Sequence, residues 1–261
     1  MTDGTTTETA TEPDLPIHVP LEGTFNVRDV GGWATADGHR VRTGLVHRAD
    51  GLANLTDGDR AELVARGVRT VLDLRETQEG RHAPDALDGT DIEHLGMPVF
   101  LDRYYPMDPE DALAFRLPDR SLPTIYGLMI EEAGERFAEI LTVLAEAEDP
   151  AVFHCSAGKD RTGMVAAFLL ELLGVGRQTV LDDYAATERF LGADFVAALQ
   201  TRFAAAGIVA DLSKTATQAP RELMESTLAG IDDRFGSVEG YLLEHGLDDR
   251  VPGRLRDRLL G

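Results

Sequence analysis

The chain has 261 residues, 43% of them hydrophobic, with 26 glycines, 12 prolines and one cysteine, enough for an α/β domain that buries ~70–75% of its unfolded surface without a disulfide or metal staple. One cysteine excludes an intramolecular disulfide, and if that residue matters it acts through its chemistry. The 46 acidic against 25 basic residues give a formal charge of −21, a surface that repels phosphodiester backbones and anionic lipid and argues against nucleic-acid or stable membrane binding as the main role, so any anionic substrate must be caught locally.

In chain order, Met1–Leu15 is rich in Thr and acids, offers no apolar run, and precedes the first basic residue, Arg28. That composition carries no export signal. Residues 1 to about 19 read as a disordered tail, 20–261 as a single domain, and the compartment as the cytoplasm. Gly44-Leu45-Val46, Thr70–Leu74, Asp91–Met97 and Ala151–His154 read as strands. They alternate with amphipathic helical windows, which predicts an α/β fold, a central sheet flanked by helices. The first such helix has a readable start, with Thr56 as N-cap, Asp57 and Asp59 in its first turn and Gly67 closing it. Five prolines between Pro98 and Pro123 predict a long loop, followed by one helix over roughly Thr124–Ala147. A buried helix over Thr162–Leu173 stops at Gly174, one or two more fill 176–206, a loop covers 206–219, and helices resume near Pro220 and run to about Leu260.

The chemistry concentrates in His154-Cys155-Ser156-Ala157-Gly158-Lys159-Asp160-Arg161-Thr162-Gly163, where a strand ends and a helix begins. A turn there aims successive amides inward and adds the positive end of a helix, a cavity suited to a phosphoryl dianion formed by Ser156, Ala157, Gly158 and Lys159. Five residues separate Cys155 from Arg161, enough to wrap one tetrahedral anion and bring a guanidinium fork opposite the thiol. The field that binds phosphate also favours the thiolate nucleophile at Cys155. Thr162 is placed to donate to the sulfur, and His154 to order the loop. Two aspartates compete as the acid that protonates the departing oxygen: Asp160, inside the loop and preferred, and Asp119, upstream in the proline-rich segment.

These residues resemble the active-site loop of the cysteine-dependent protein tyrosine phosphatase superfamily, and the Lys-Asp pair before Arg161 is similar to the bacterial tyrosine phosphatase family of the mycobacterial PtpB type. Phe25–Gly32 resembles that family's N-terminal signature and Val71–Arg75 its strand ending in Asp-Leu-Arg; Asp183-Tyr184, Thr187 and Gly236–Leu242 agree as well. The resemblance implies a phosphatase-like α/β fold, Cys155 as nucleophile, Arg161 as phosphate clamp, Asp160 as proton donor and Lys159 reaching a substrate phosphate. It further implies phosphotyrosine, phosphoserine, phosphothreonine and phosphoinositide substrates, on a protein or a phospholipid headgroup, a helical lid within 188–225, and no cofactor or metal. One departure is Arg48-Ala49, where the family commonly has Arg-Ser.

Asn26, Arg28, Asp29, Arg48, Asp73 and Arg75 are expected to brace the loop, because strand ends in α/β folds face the ligand crevice, the alternative being ordinary ion pairs and caps. Two other readings compete with a phosphomonoesterase: a non-catalytic phosphate-binding module and a rhodanese-type sulfurtransferase. The oligomeric state is not written in the sequence.

Overall fold

The computed structural model describes residues 16–100, 121–205 and 217–261. Five short strands, β1 (Arg28–Asp29), β2 (Val46–Ala49), β3 (Thr70–Asp73), β4 (Glu93–Gly96) and β5 (Ala151–His154), form one sheet in the order β1-β2-β5-β3-β4. All are parallel except β1, which pairs antiparallel with β2 at one edge. β5 is central, with His154 opposite Ala49 on one side and Asp73 on the other. The chain therefore leaves β2, β5 and β3 at the same end of the sheet, the carboxyl end at which parallel sheets gather ligands.

The described helices are α1 (Asp57–Ala65), α2 (Thr77–His82), α3 (Leu122–Glu132), α4 (Gly134–Glu146), α5 (Asp160–Leu172), α6 (Arg177–Ala185), α7 (Thr187–Phe190), α8 (Ala193–Ala205), α9 (Arg221–Phe235), α10 (Val238–Glu244) and α11 (Val251–Leu259). Successive strand side chains point to opposite faces. Val71 and Val152 accordingly enter a small core with Leu63 of α1, Val19 and Val27, whereas Leu72 and Phe153 enter the large core built by α3–α6 and α9–α11. α5 is apolar on nearly every side and lies inside that large core, with Met164–Leu170 all buried. Its Phe168 ring meets Phe137 of α4 edge-on at 5.1 Å and Tyr241 of α10 at 5.7 Å. Truncating it leaves a cavity walled by rigid aromatics, so Phe168→Ala is expected to cost ~3–5 kcal/mol, read as a lower urea midpoint at unchanged slope.

Thr56 caps α1 as its sequence predicts, in a reciprocal box with Asp59, whose carboxylate also accepts from the Glu22 and Gly23 amides at 2.7 and 2.8 Å. Four features differ from expectation. β2 begins at Val46 and continues to Ala49, because Gly44 is occupied elsewhere: its amide donates to Asp29 Oδ2 at 2.6 Å. The single helix expected over 124–147 is two, since Ala133 leaves helical geometry (φ −113°, ψ 12°) and the His245 ring packs on the backbone of Gly134, where a Cβ would lie 2.2 Å from His245 Cδ2. Residues 176–206 hold three helices rather than one or two. Finally, residues assigned to the tail belong to the folded body: Asp29 N donates to Ile17 O and Val19 N to Val27 O, both at 2.9 Å. No helix among the described residues is long and apolar enough to cross a membrane.

Candidate active site

The segment 155–159 turns from the middle strand into the amino end of α5. Its carbonyls are held from behind. His154 Nδ1 lies 3.2 Å from Cys155 O, Gly51 N donates to Ser156 O at 3.2 Å, and Asn26 Nδ2 donates to Ala157 O and Gly158 O at 3.0 and 3.2 Å. Arg48 Nη2 adds a bond to Gly158 O at 2.8 Å. With the carbonyls tied to β2 and to the segment before β1, the amides are turned the other way, and among the described residues no protein acceptor meets those of Ser156, Ala157 or Gly158. A run of amides without protein acceptors at a helix amino end is chemically suited to receive an anion. Gly158 makes the turn possible: its φ is +66°, and a Cβ there would sit 2.6 Å from Ala49 O.

Cys155 is buried at the start of this turn, and Arg161 is buried at the second position of α5. Glu79 of α2 holds the guanidinium fork from the side, accepting from Arg161 Nη1 at 2.5 Å and Nη2 at 3.1 Å, while Nη1 also donates to Glu76. Ser156 Oγ donates to the same Glu79 carboxylate at 2.6 Å, joining the loop, Arg161 and α2 in one network. Burial works against the charge on Arg161, but Glu79, Glu76 and Cys155 together hold it firmly protonated. Burial and the neighbouring Glu79 push Glu76 up, although Arg161 pulls against them. Glu79 is likewise penalised by burial, yet the Arg161 charge, Glu76 and the Arg161 and Ser156 donors hold it well below the usual carboxylate range. Neither glutamate is singled out by the sequence reading; the signal available was an E-x-x-E helix start directly after a strand ending in Asp-Leu-Arg.

The expected bracing residues divide. Asn26 and Arg48 bond the loop directly, and Arg48 also pairs with Asp183 of α6 at 2.6 Å. Asp73 and Arg75 act indirectly: Arg75 joins Asp73 to Asp85, and Asp85 Oδ2 lies 2.8 Å from His154 Nε2. Arg28 is not at the loop, because its guanidinium spans to Asp183 O and Thr187 Oγ1 at 3.2 and 3.0 Å and stacks over Phe190. Asp29 is not there either; its carboxylate caps the Gly31 and Gly44 amides of the neighbouring turn. Asp50 and Asp85 are further additions to the site. Asp50, pushed up to about 6 by burial, accepts from the Phe25 and Asn26 amides and so sets the Asn26 side chain.

Lys159 is buried, and its ammonium donates to Gln218 O at 3.0 Å and lies 3.8 Å from Asp160 Oδ1. Asp160 opens α5 and receives the Tyr126 hydroxyl at 3.0 Å. The Thr162 hydroxyl is buried without a hydrogen-bond partner, so its expected donation to Cys155 is not made here. Asp119 lies outside the described residues, as does 206–216 of the segment 188–225 expected to form a lid; the rest of that segment holds most of α7, all of α8 and the start of α9. Asp73, Asp85 and His154 have ligand atoms mutually within 4.8 Å, but both carboxylates are already engaged by Arg75, and the group is a salt-bridge network rather than a metal centre.

This network makes stability depend on pH in two directions. Burial opposes charge on Asp73 and Asp85, yet bonds with His94 and Arg75 to the first, and with His154 and His94 to the second, hold both far below the usual range. Depressed carboxylates contribute stability that is present above their unfolded values near ~4 and lost as pH falls further. The same two aspartates, Asp73 foremost, raise His94 to about 9. Its contribution has the opposite sign: complete below an unfolded value of ~6.5 and lost as pH rises through the folded one. His94→Gln is therefore expected to flatten the alkaline decline of the urea-unfolding free energy while leaving most of the acid limb.

Comparison with known proteins agrees with this geometry. The tyrosine phosphatase family matches residues 19–261. The triple specificity protein phosphatase PtpB of Mycobacterium tuberculosis is 31% identical over 92% of this chain and 98% of its own. A tyrosine-protein phosphatase of Nostoc commune is 30% identical over 82% of this chain and 74% of its own. The crystal structure of TpbA from P. aeruginosa, 16% identical at a TM-score of 0.37 over 82% of this chain and 96% of that one, is too distant to add to the description of the fold. Matched along nearly its whole length by that family and by a relative of 31% identity, the protein is a phosphomonoester hydrolase belonging to the tyrosine phosphatase family.

Proposed function

We infer that the protein hydrolyses phosphotyrosine through a phosphocysteine intermediate, with Cys155, Asp160 and Arg161 as its catalytic residues. The observation that carries this reading is the outward tethering of four successive loop carbonyls, from Cys155 to Gly158, opposite an arginine fork fixed by Glu79. Donors preorganised in this way stabilise the charge on the equatorial oxygens as the phosphoryl group transfers.

In the first step the Cys155 sulfur attacks phosphorus, the bond from phosphorus to the phenolic oxygen breaks, and Asp160 delivers its proton to that oxygen. In the second, the Asp160 carboxylate takes a proton from water, the hydroxyl adds to phosphorus, and the sulfur departs with its electron pair. Arg161 and the Ser156–Gly158 amides hold the three equatorial oxygens in both steps. Thr162, with its buried hydroxyl uncommitted, is the donor we assign to the departing sulfur. Serine, threonine and phosphoinositide monoesters extend the same chemistry to poorer leaving groups, a range favoured by the likeness to a phosphatase named for triple specificity.

The test is release of phosphate from p-nitrophenyl phosphate and from phosphotyrosine, phosphoserine and phosphoinositide substrates, with chelator present. Turnover that survives chelation is expected. Phosphate binding without turnover would favour the binding module, and sulfur transfer from thiosulfate the sulfurtransferase.

A further inference from the structure

The side chain that holds Asp160 comes from outside the loop. Tyr126 of α3 is 1% exposed, and its hydroxyl donates to Asp160 Oδ1 at 3.0 Å while lying 2.8 Å from the hydroxyl of Tyr184 on α6. The two rings meet edge to face with centroids 6.3 Å apart, and the Tyr184 ring presses on Gly163, where a Cβ would lie 3.0 Å from its Cδ2. The phenol pair is thus clamped against the first turn of α5, beside the loop. Burying two hydroxyls is costly unless their bonds are made, and here one chain of them ends on a carboxylate. Burial, reinforced by the Asp160 charge, lifts Tyr126 well above the ordinary phenol range and raises Tyr184 as well, so both keep their protons and Tyr126 remains a donor. Lys159 Nζ, 3.8 Å away, faces the same Oδ1.

We propose that Tyr126, backed by Tyr184, is a positioning residue for phosphoryl transfer: by occupying Oδ1 of Asp160 it assigns the transferable proton to Oδ2 and fixes the direction of its delivery. The inference rests on Asp160 being the acid. When Asp160 is protonated, the Tyr126 donor on Oδ1 leaves Oδ2 as the oxygen that bears the proton. Once that proton has passed to the leaving oxygen, the same donor steadies the carboxylate that must next accept one from water. The two-link chain of phenols strengthens the final bond, because each donor polarises the next.

The experiment measures kcat and KM for aryl phosphates spanning good to poor leaving phenols, in the wild type, Tyr126→Phe, Tyr184→Phe, Asp160→Asn and the Tyr126→Phe/Asp160→Asn double variant, each checked by thermal unfolding. Tyr126→Phe is expected to leave the best leaving group within about twofold and to slow the poorest about tenfold, at unchanged KM. Tyr184→Phe should shift in the same direction by less, and the double variant should be no slower than Asp160→Asn alone. Equal slowing across the series, or additive losses in the double variant, would overturn the proposal. Leaving-group dependence in Asp160→Asn but in neither tyrosine variant overturns this inference and leaves the acid standing. No dependence in Asp160→Asn removes the acid assignment and the inference with it. If Tyr126→Phe does not fold, Tyr184→Phe decides alone, since Tyr126 then keeps its ring and loses its own partner.

Discussion

Cys155→Ser is expected to reduce turnover by ~10⁴-fold or more while the protein still binds inorganic phosphate and phosphotyrosine peptides. The two halves of that result have separate causes. Binding is expected to depend on the amides of Ser156–Gly158 and on the Arg161 fork, which Asn26, Arg48, Gly51 and Glu79 hold by bonds to loop carbonyls and to the guanidinium rather than to the Cys155 sulfur. Turnover, in the mechanism proposed, needs the sulfur itself as nucleophile, and a serine hydroxyl is a far weaker one. Steady-state kinetics together with calorimetric phosphate titration reads both, and retained turnover in the serine variant would take the nucleophile's role away from Cys155.

Arg161→Ala carries the second large effect, because it removes the clamp and damages the fold at once. Glu76 and Glu79 would face each other buried, with their shared cation gone. Breaking a buried pair by removing one partner costs ~3–5 kcal/mol, and the loss of a bidentate donor to the transferring group costs at least ~10³-fold in kcat/KM. The two losses can be separated. Adding Glu79→Gln to Arg161→Ala relieves the unpaired charge and should recover much of the stability, measured by urea unfolding, without restoring activity. Arg161→Lys keeps a positive charge for Glu79 but not the planar fork, so it should fold better than the alanine variant and remain a poor enzyme. Recovery of activity along with stability would mean that Arg161 serves the fold alone.

How much of this was legible in the sequence depends on how far apart the partners lie. The loop from His154 to Gly163 is contiguous, so spacing alone exposed the cysteine, the arginine and the helix start. β3 and β5 are legible as short apolar runs, whereas β2, Val-His-Arg-Ala, shares only Val46 with the run expected there and the two-residue β1 carries no periodicity at all. Glu79 and Arg161 are 82 residues apart, and Asp85 and His154 are 69 apart. Only the sheet order brings such pairs together, by setting the end of β3 beside the end of β5. Arg28 and Asp29 show the converse: a charged, motif-like run suggests loop braces or ordinary pairs and caps alike, and in the fold one ties β1 to α6 and α7 and the other caps a turn. The break at Ala133–Gly134 has a local signal in the glycine itself, but the ring that packs on Gly134, His245, comes from the far end of the chain.

The most direct measurement is chemical. Wild-type protein mixed with a phosphorus-labelled phosphotyrosine peptide and denatured within the first turnover should carry the label on the peptide that contains Cys155, and the Cys155→Ser variant should carry none. Label on any other residue, or hydrolysis that proceeds at full rate in the serine variant, would contradict the account.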